Sequence, residues 1–311
     1  MKVRNFGALI ITNAFVILIT MGGILPITTY GQAWPKPIVT PSVNQGSFLN
    51  GGNNTHCKCV VFRLDDVQGR WIESAQLAPM DLFISKNQSL TLGLIMNPVG
   101  NDTRIINKVH EGQQKGLFEL ALHGWNHVSY TKLSEQEQKD TLLKANEKMQ
   151  RLLGLKSNIF ITPNDVYDNN TIKAMTQLGL RILSSGAMAE EKVGQNKSVF
   201  VDDGKTYNNV TQQAVYHLPT TITYHNFING TWIKIPLKDI LAAVDFSIAK
   251  NGYAVIVLHP QVFAKSIVTV DKNGQYVNLV DLGEITELSH LIDSILSKNI
   301  HITSFSKIVG I

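Results

Sequence analysis

Four residues of types that bind metals or move protons stand directly after apolar runs of the sequence, and a fifth follows four positions after one of them. Asp65 and Asp66 follow one such run, His259 follows another, and His123 follows a third, with His127 four positions further on. Imidazole and carboxylate groups are ligands that zinc takes in catalytic sites, which keep a position open for water or substrate. The residue types and their spacing therefore predict a His/His/Asp metal site.

Asp65 and Asp66 can divide two tasks between them. Consecutive residues of a strand point in different directions, so one carboxylate can bind the metal while the other takes a proton from an attacking water. His259 can give a proton to a leaving group, because histidine titrates near neutral pH. The spacing of four predicts that His123 and His127 share one face of a helical turn. The alternative is a turn or helix cap at the aspartates with unrelated structural histidines.

The elements that must position these residues are strands that alternate with helices. This order predicts a parallel sheet covered by helices, and about six or seven β-α units favour a complete or distorted (β/α) barrel over a Rossmann sheet. In such folds the site lies at the carboxyl ends of the strands. The predicted strands are 59–64, 89–96, 117–122, 158–161, 181–185, 198–202, 214–218, 231–236, 253–259 and 301–305, and the predicted helices are 71–87, 102–116, 134–154, 169–179, 237–252 and 284–299.

The amino terminus predicts export. Lys2 and Arg4 precede an uncharged stretch at 6–27, which is typical of a signal peptide and also long enough for a membrane anchor. We therefore divide the chain into a signal or anchor at 1–33, a Pro-, Gly- and Asn-rich linker at 34–56 and a catalytic domain at 57–311, outside the cell or on its surface. Candidate glycosylation sequons begin at Asn53, Asn87, Asn101, Asn169, Asn196, Asn209 and Asn229.

The composition excludes several other classes of protein. With 44% hydrophobic and 17% charged residues the chain is a folded one, and its net charge of +4 comes without any Lys/Arg block, so we expect no nucleic-acid partner. We expect a monomer that meets a membrane only through an uncleaved amino-terminal segment. Cys57 and Cys59 are two residues apart, and a bridge between them on one strand would be strained.

Four segments, in order, resemble the motifs of the polysaccharide deacetylase family, the NodB-homology domain, over about residues 58–305. "FRLDD" resembles the family's T-F-D-D, "HGWNH" its H-[ST]-x-x-H, "FITPND" its R-x-P and "LHP" its late L-x-H motif. Two departures stand out. Phe160 or Ile161 occupies the place of the third-motif arginine, which usually orients the base, and Gly124 replaces a Ser or Thr.

The resemblance implies a distorted (β/α) barrel and a divalent metal, most often zinc. The family removes acetyl groups from N-acetylated sugars of chitin, peptidoglycan or other surface glycans. Carried over, the resemblance implies that Asp65 is the general base and His259 the general acid. It further implies Asp66, His123 and His127 as metal ligands, and we expect substrate contacts from Trp125, Pro163, Asn164 and Asp165.

Two other functions fit the same residues. One is a metal-dependent hydrolase of a non-sugar amide or ester. The other is a catalytically silent carbohydrate-binding surface domain, which the absent arginine favours and the five retained site residues oppose. His217 and Trp232 could also line the cleft.

Overall fold

The computed structural model describes residues 57–188, 215–270 and 276–311. The amino-terminal export segment, the linker up to residue 56 and the predicted strand at 198–202 lie outside the described residues, so these predictions stay untested. Within the described ranges, no helix combines the length and the apolar character that crossing a bilayer requires.

Most of the strands lie where the runs of apolar residues predict them, and all but two span six residues or fewer. The described residues form β1 (Cys59–Val67), β2 (Leu90–Leu94), β3 (Phe118–Leu122), β4 (Ile159–Ile161), β5 (Val166–Tyr167), β6 (Ile182–Ser184), β7 (Ala187–Met188), β8 (Tyr216–His217), β9 (Ile222–Thr223), β10 (His225–Ile228), β11 (Thr231–Lys234), β12 (Tyr253–Leu258), β13 (Ala264–Val270), β14 (Tyr276–Val280) and β15 (His301–Thr303).

Nine strands form one curled parallel sheet, which confirms the predicted barrel-like α/β fold in the form of a half-barrel. Their order is β8-β6-β4-β3-β2-β1-β12-β9, and β15 also pairs with β1. β8 pairs with β6 at one edge and β9 pairs with β12 at the other. Because β8 and β9 are only four residues apart in the chain, a single short segment connects the two edges of the sheet.

All the helices except the last contribute residues to the larger of two apolar clusters, whereas the last helix packs in the smaller one. The third helix begins with a capping box, in which Ser134 and Glu137 satisfy each other's backbone amides, and ends at Gly154 in a left-handed conformation. The helices are α1 (Glu73–Ser85), α2 (Thr103–Gln114), α3 (Glu135–Leu153), α4 (Asn169–Leu178), α5 (Leu237–Asn251), α6 (Leu282–Ser297) and α7 (Phe305–Val309).

The central strand β1 is buried on both faces. Val60, Phe62 and Leu64 pack in the larger apolar cluster, to which residues of the helices also contribute, whereas Val61 packs in a smaller cluster. Arg63 and Asp65 lie on the same face of the strand as Val61, because side chains of a strand alternate between its faces. Two charged side chains thus follow an apolar one on the inner face of the sheet.

Three small features differ from the sequence prediction. The strand expected at 231–236 is one arm of an antiparallel hairpin, β10 with β11, and β13 and β14 form another hairpin that the sequence did not predict. Cys57 and Cys59 form a disulfide. Lys58 between them has a left-handed φ of 42°, so the cysteines do not share a regular strand and their Cα atoms lie 5.2 Å apart.

Candidate active site

The end of β1 separates the two adjacent aspartates. Pairing between β1 and β2 shifts register between Leu64 and Val67, and Asp66 within this irregularity has a left-handed φ of 61°. Such a φ is unfavourable for a non-glycine residue and is found where the surroundings impose it, often at functional sites. The irregularity directs Asp65 and Asp66 to different partners, as the sequence predicts.

Asp66, His123 and His127 converge at the carboxyl end of the sheet. Oδ1 of Asp66 lies 3.3 Å from Nε2 of His123 and 3.2 Å from Nε2 of His127. One ligand atom from each of the three residues lies within 4.8 Å of the others. The side chain of His123 is buried, whereas that of His127 is 41% exposed, so the cluster opens to solvent on one side.

The two histidines reach this position from a loop, so the predicted helical turn is wrong. His123 is the first residue after β3, and the backbone from 123 to 129 is not helical, with bends at 125–127. Gly124 has a φ of 83°, and a Cβ there would lie 2.9 Å from the carbonyl oxygen of Asn126. This turn requires glycine, which gives a physical reason for its presence in place of a Ser or Thr.

The donor set fits a divalent cation. Nδ1 of His123 hydrogen-bonds the carbonyl oxygen of Ile161 at 2.9 Å, which leaves its Nε2 unprotonated for a metal. Oδ1 of Asp66 is buried without a hydrogen bond, while its Oδ2 accepts one from Gln261 at 3.1 Å. Burial would raise the pKa of Asp66, but the neighbouring imidazoles outweigh it and lower this pKa below its usual range. Two imidazoles and one carboxylate match the ligand types of a catalytic zinc site.

His259 lies at the end of the neighbouring strand. Leu64 of β1 pairs with Leu258 of β12, so Asp65 and His259 follow residues that are side by side. The ring of Trp232, on β11, lies 4.7 Å from the His259 ring, centroid to centroid. Burial lowers the pKa of His259, and the charges of Asp65 and Asp66 partly offset this. The hairpin β10–β11 therefore forms a wall beside His259.

Asp65 contacts an arginine that the sequence analysis missed. Nη2 of Arg63 lies 3.0 Å from Oδ2 of Asp65 and 2.8 Å from Oδ1 of Asp165. The sequence carried a signal for this contact, since an arginine inside an otherwise apolar strand needs a buried partner and Asp65 follows two residues later on the same face. Gln261 was also missed, and nothing in its sequence context indicates its contact with Asp66.

The four residues predicted to contact substrate have different surroundings. Trp125 is partly buried, with Nζ of Lys144 4.0 Å from its ring centroid, and Pro163 is buried. Asn164 is exposed and has a φ of 62°. Asp165 faces Arg63, so its side chain has a partner within the protein, and contact of these residues with substrate stays a prediction.

Comparisons with known proteins concern the family and the fold of the chain. Residues 52–183 match the family model described as polysaccharide deacetylase. No curated protein sequence gives a significant match. Among solved structures, a candidate polysaccharide deacetylase from Mycobacterium smegmatis is 14% identical with a TM-score of 0.59, and the match covers 86% of this chain and 94% of the other.

Two further solved structures share the fold. A family 4 acetyl xylan esterase from Clostridium thermocellum, in complex with a cobalt ion, is 13% identical with a TM-score of 0.50 over 81% of this chain and 90% of the other. A peptidoglycan N-acetylglucosamine deacetylase has the same identity and TM-score over 81% of this chain and 87% of its own. Residues 52–183 therefore match the polysaccharide deacetylase family model, and the chain shares the fold of these esterases and deacetylases.

Proposed function

We propose that this protein is an exported, metal-dependent hydrolase that removes N-acetyl groups from a cell-surface or extracellular polysaccharide. One observation carries the proposal: Asp66, His123 and His127 converge at one point, with Asp65 adjacent in the chain and His259 at the next strand end. This set supplies metal ligands, a base and an acid in one cleft, which hydrolysis of an amide requires.

In the proposed reaction the five site residues have different roles. A divalent cation held by Asp66, His123 and His127, most often zinc with such ligands, would polarise the acetyl carbonyl and acidify an attacking water. Asp65 takes the proton of that water, and its Oδ1 is buried without a hydrogen bond and so is available for this task. His259 gives a proton to the departing nitrogen.

Aromatic side chains beside His259 support a sugar polymer as the substrate. Phe227 is 60% exposed, and its ring lies 5.0 Å from that of Trp232, which in turn contacts His259. Binding sites of this kind combine aromatic walls with few polar groups that fix orientation. The aromatic rings run from the candidate acid outward, as a substrate longer than one sugar unit would need.

An acetyl ester is the second candidate substrate. The Clostridium thermocellum neighbour is an acetyl xylan esterase, and an acetyl ester presents the same carbonyl to the same residues. Acetate release from chitin oligomers, from acetylated xylan oligomers and from a simple acetamide separates the proposed substrate from the ester and from a non-sugar amide. Greatest turnover of the chitin oligomers supports the proposal.

Two variants test the roles of the residues. We expect Asp65→Asn to retain zinc and to lose at least about 100-fold in kcat, because a general base contributes about 10²–10⁴-fold. We expect His127→Ala to lose both zinc and activity. Zinc content by elemental analysis and acetate release, both on the full chain, are the measurements.

Matched controls keep these variants interpretable. Asp140→Asn and His290→Ala change exposed residues of α3 and α6, and both should behave as the wild type. Full turnover in Asp65→Asn would show that another group is the base. A protein that binds chitin oligomers but holds no zinc and releases no acetate would support the catalytically silent alternative.

We also propose that the chain acts outside the cytoplasm. The apolar segment after Lys2 and Arg4 supports this, as does the disulfide between Cys57 and Cys59, since disulfides persist in oxidising compartments. Fractionation of cells that express the full chain, with amino-terminal sequencing of the product, tests export and cleavage together. Recovery in the cytosol with an intact amino terminus would contradict the proposal.

A further inference from the structure

Arg63 is a buried cation in the middle of the strand that carries the site. It lies on β1, two residues before Asp65, and is 1% exposed. Burial of a charge is costly unless the charge is paired and hydrogen-bonded. Its partners therefore decide what this residue does.

Three groups hold the guanidinium of Arg63 at separate positions. Nη2 contacts Oδ2 of Asp65 at 3.0 Å and Oδ1 of Asp165 at 2.8 Å. Nη1 donates a hydrogen bond of 2.8 Å to Oγ of Ser184, whose own hydroxyl donates to the carbonyl oxygen of Leu218. A planar guanidinium fixed by three partners has little freedom to move, which a lysine ammonium could not reproduce.

Asp165 is itself held in place on the side away from Asp65. Oγ1 of Thr220 donates a hydrogen bond of 3.0 Å to its Oδ1. A Cβ at Gly186 would lie 2.7 Å from its Oδ2, so only glycine leaves room for this carboxylate. The backbone of Asp165 has a left-handed φ of 57°. Arg63 is thus connected to a fixed point on the loop after β4.

The two carboxylate oxygens of Asp65 differ in their contacts. Oδ2 receives the contact from Arg63, whereas Oδ1 is buried and has no hydrogen bond. Gly93 on β2 makes room for this oxygen, because a Cβ there would lie 3.2 Å from it. A general base needs one oxygen fixed in position and the other able to accept a proton.

We infer that Arg63 is the positioning residue of Asp65, and that Asp165 and Ser184 hold the guanidinium so that Oδ1 of Asp65 points into the cleft. Arg63 acts through Asp65 and touches no reacting atom. The inference rests on the proposed function insofar as Asp65 is the base, and it deepens that function by naming what orients the base.

The first test compares substitutions at position 63 in the full, zinc-loaded chain, with acetate release from chitin oligomers as the assay. We expect Arg63→Met to lower kcat about 100-fold with KM changed less than about threefold and zinc content unchanged. Arg63→Lys should recover about tenfold of that loss, because an ammonium can hold Asp65 without bridging all three partners. Arg151→Met, on the exposed face of α3, is the matched control.

A double-mutant cycle separates this role from a structural one. In the Asp65→Asn background, Arg63→Lys should change kcat less than about twofold, because Arg63 acts only through the carboxylate that is already gone. A further loss equal to that in the wild-type background would overturn the inference. Because Arg63→Lys retains a cation, the double-mutant cycle can be measured even if Arg63→Met does not fold.

A structural readout does not depend on activity. In a crystal structure of Arg63→Lys we expect the Asp65 carboxylate to rotate or to occupy two conformers, with Asp66, His123 and His127 unmoved. An unchanged Asp65, or wild-type kcat in both position-63 variants while Asp65→Asn is inactive, would overturn the inference and leave the proposed function intact. Wild-type kcat in Asp65→Asn would instead overturn the base assignment and the inference together.

Discussion

Two regions of the molecule combine one arginine with two carboxyl groups, and the arginine is buried in one and exposed in the other. In the Arg63 cluster (Arg63, Asp65 and Asp165) the guanidinium is 1% exposed and contacts both carboxylates. Burial alone would lower the pKa of Arg63, but the two carboxylates outweigh it and raise this pKa. The cation stays charged because Asp65 is buried beside it and the partly exposed Asp165 also contacts it.

The Glu73 cluster (Glu73, Asp102 and Arg104) lies where α1 and α2 begin. Glu73 and Asp102 are buried, whereas the side chain of Arg104, which contacts Glu73, is 64% exposed. Burial and a hydrogen bond that the protonated Glu73 carboxyl donates to Asp102 raise the pKa of Glu73 to about 7, and Arg104 offsets only part of this rise. The comparison shows that an arginine offsets the cost of burying a carboxylate well only when the arginine is buried beside that carboxylate.

The largest expected effect on stability is at Arg63. Arg63→Met leaves two carboxylates without their cation, so we expect the free energy of unfolding to fall by about 3–5 kcal/mol. Urea unfolding at neutral pH measures this, with Arg151→Met as the control. A loss below about 1 kcal/mol would show that water replaces the guanidinium at no great cost, contrary to the comparison.

A smaller effect is expected at Asp165. Its side chain is 35% exposed, and asparagine keeps an oxygen that can accept from Arg63, so Asp165→Asn should lower the free energy of unfolding by about 1 kcal/mol. The same urea titration, with Asp140→Asn beside it, gives the value. A loss as large as that of Arg63→Met would mean that Asp165 rather than Asp65 is the main partner of the arginine.

Glu73 should make stability depend on pH. Its folded pKa of about 7 is above the unfolded value of 4.5, so its contribution is complete below the unfolded pKa and is lost as pH rises through about 7. Partial exposure of the cluster limits the loss to about 1 kcal/mol. The difference in unfolding free energy between wild type and Glu73→Gln, measured from about pH 4 to pH 8, should therefore shift in favour of the variant. A difference that does not change with pH would contradict the raised pKa.

The smallest effect is expected at Arg104. Because its side chain is largely exposed, Arg104→Ala should lower the free energy of unfolding by less than about 1 kcal/mol, and added salt should reduce the difference. Thermal or urea unfolding at low and high ionic strength tests this. A salt-independent loss above about 2 kcal/mol would mean that the exposed Arg104 stabilises the fold as the buried Arg63 does, and it would contradict the difference drawn between the two clusters.

The sheet and the convergence of the candidate metal ligands could be predicted because both follow from local patterns of the sequence. Apolar runs of strand length alternate with helical runs, and the carboxyl ends of parallel strands meet at one edge. That rule alone predicts that Asp66, His123 and His127 meet, without any knowledge of the loop between the histidines. The roles of these residues in catalysis stay predictions.

The remaining features could not be predicted from the spacing of residues, each for its own physical reason. The turn after His123 follows from a glycine with positive φ, and the histidine spacing alone cannot distinguish it from a helical turn. Arg63 was overlooked because an arginine was expected near Phe160, on another strand, while the structure provides one from β1 itself. Its second partner, Asp165, lies 102 residues away, and only the folded sheet brings the two together.

The pairing of β1 has a consequence for how the protein folds. Cys59 pairs with Tyr253 on one side and with His301 on the other, residues about 190 and 240 positions later in the chain. Contacts of such long range require the closure of large loops, which slows folding. During synthesis, β1 therefore cannot pack as an inner strand until β12 has been made. We expect the carboxylates of the site to reach their final geometry late in folding, after β2, β3 and their helices have formed.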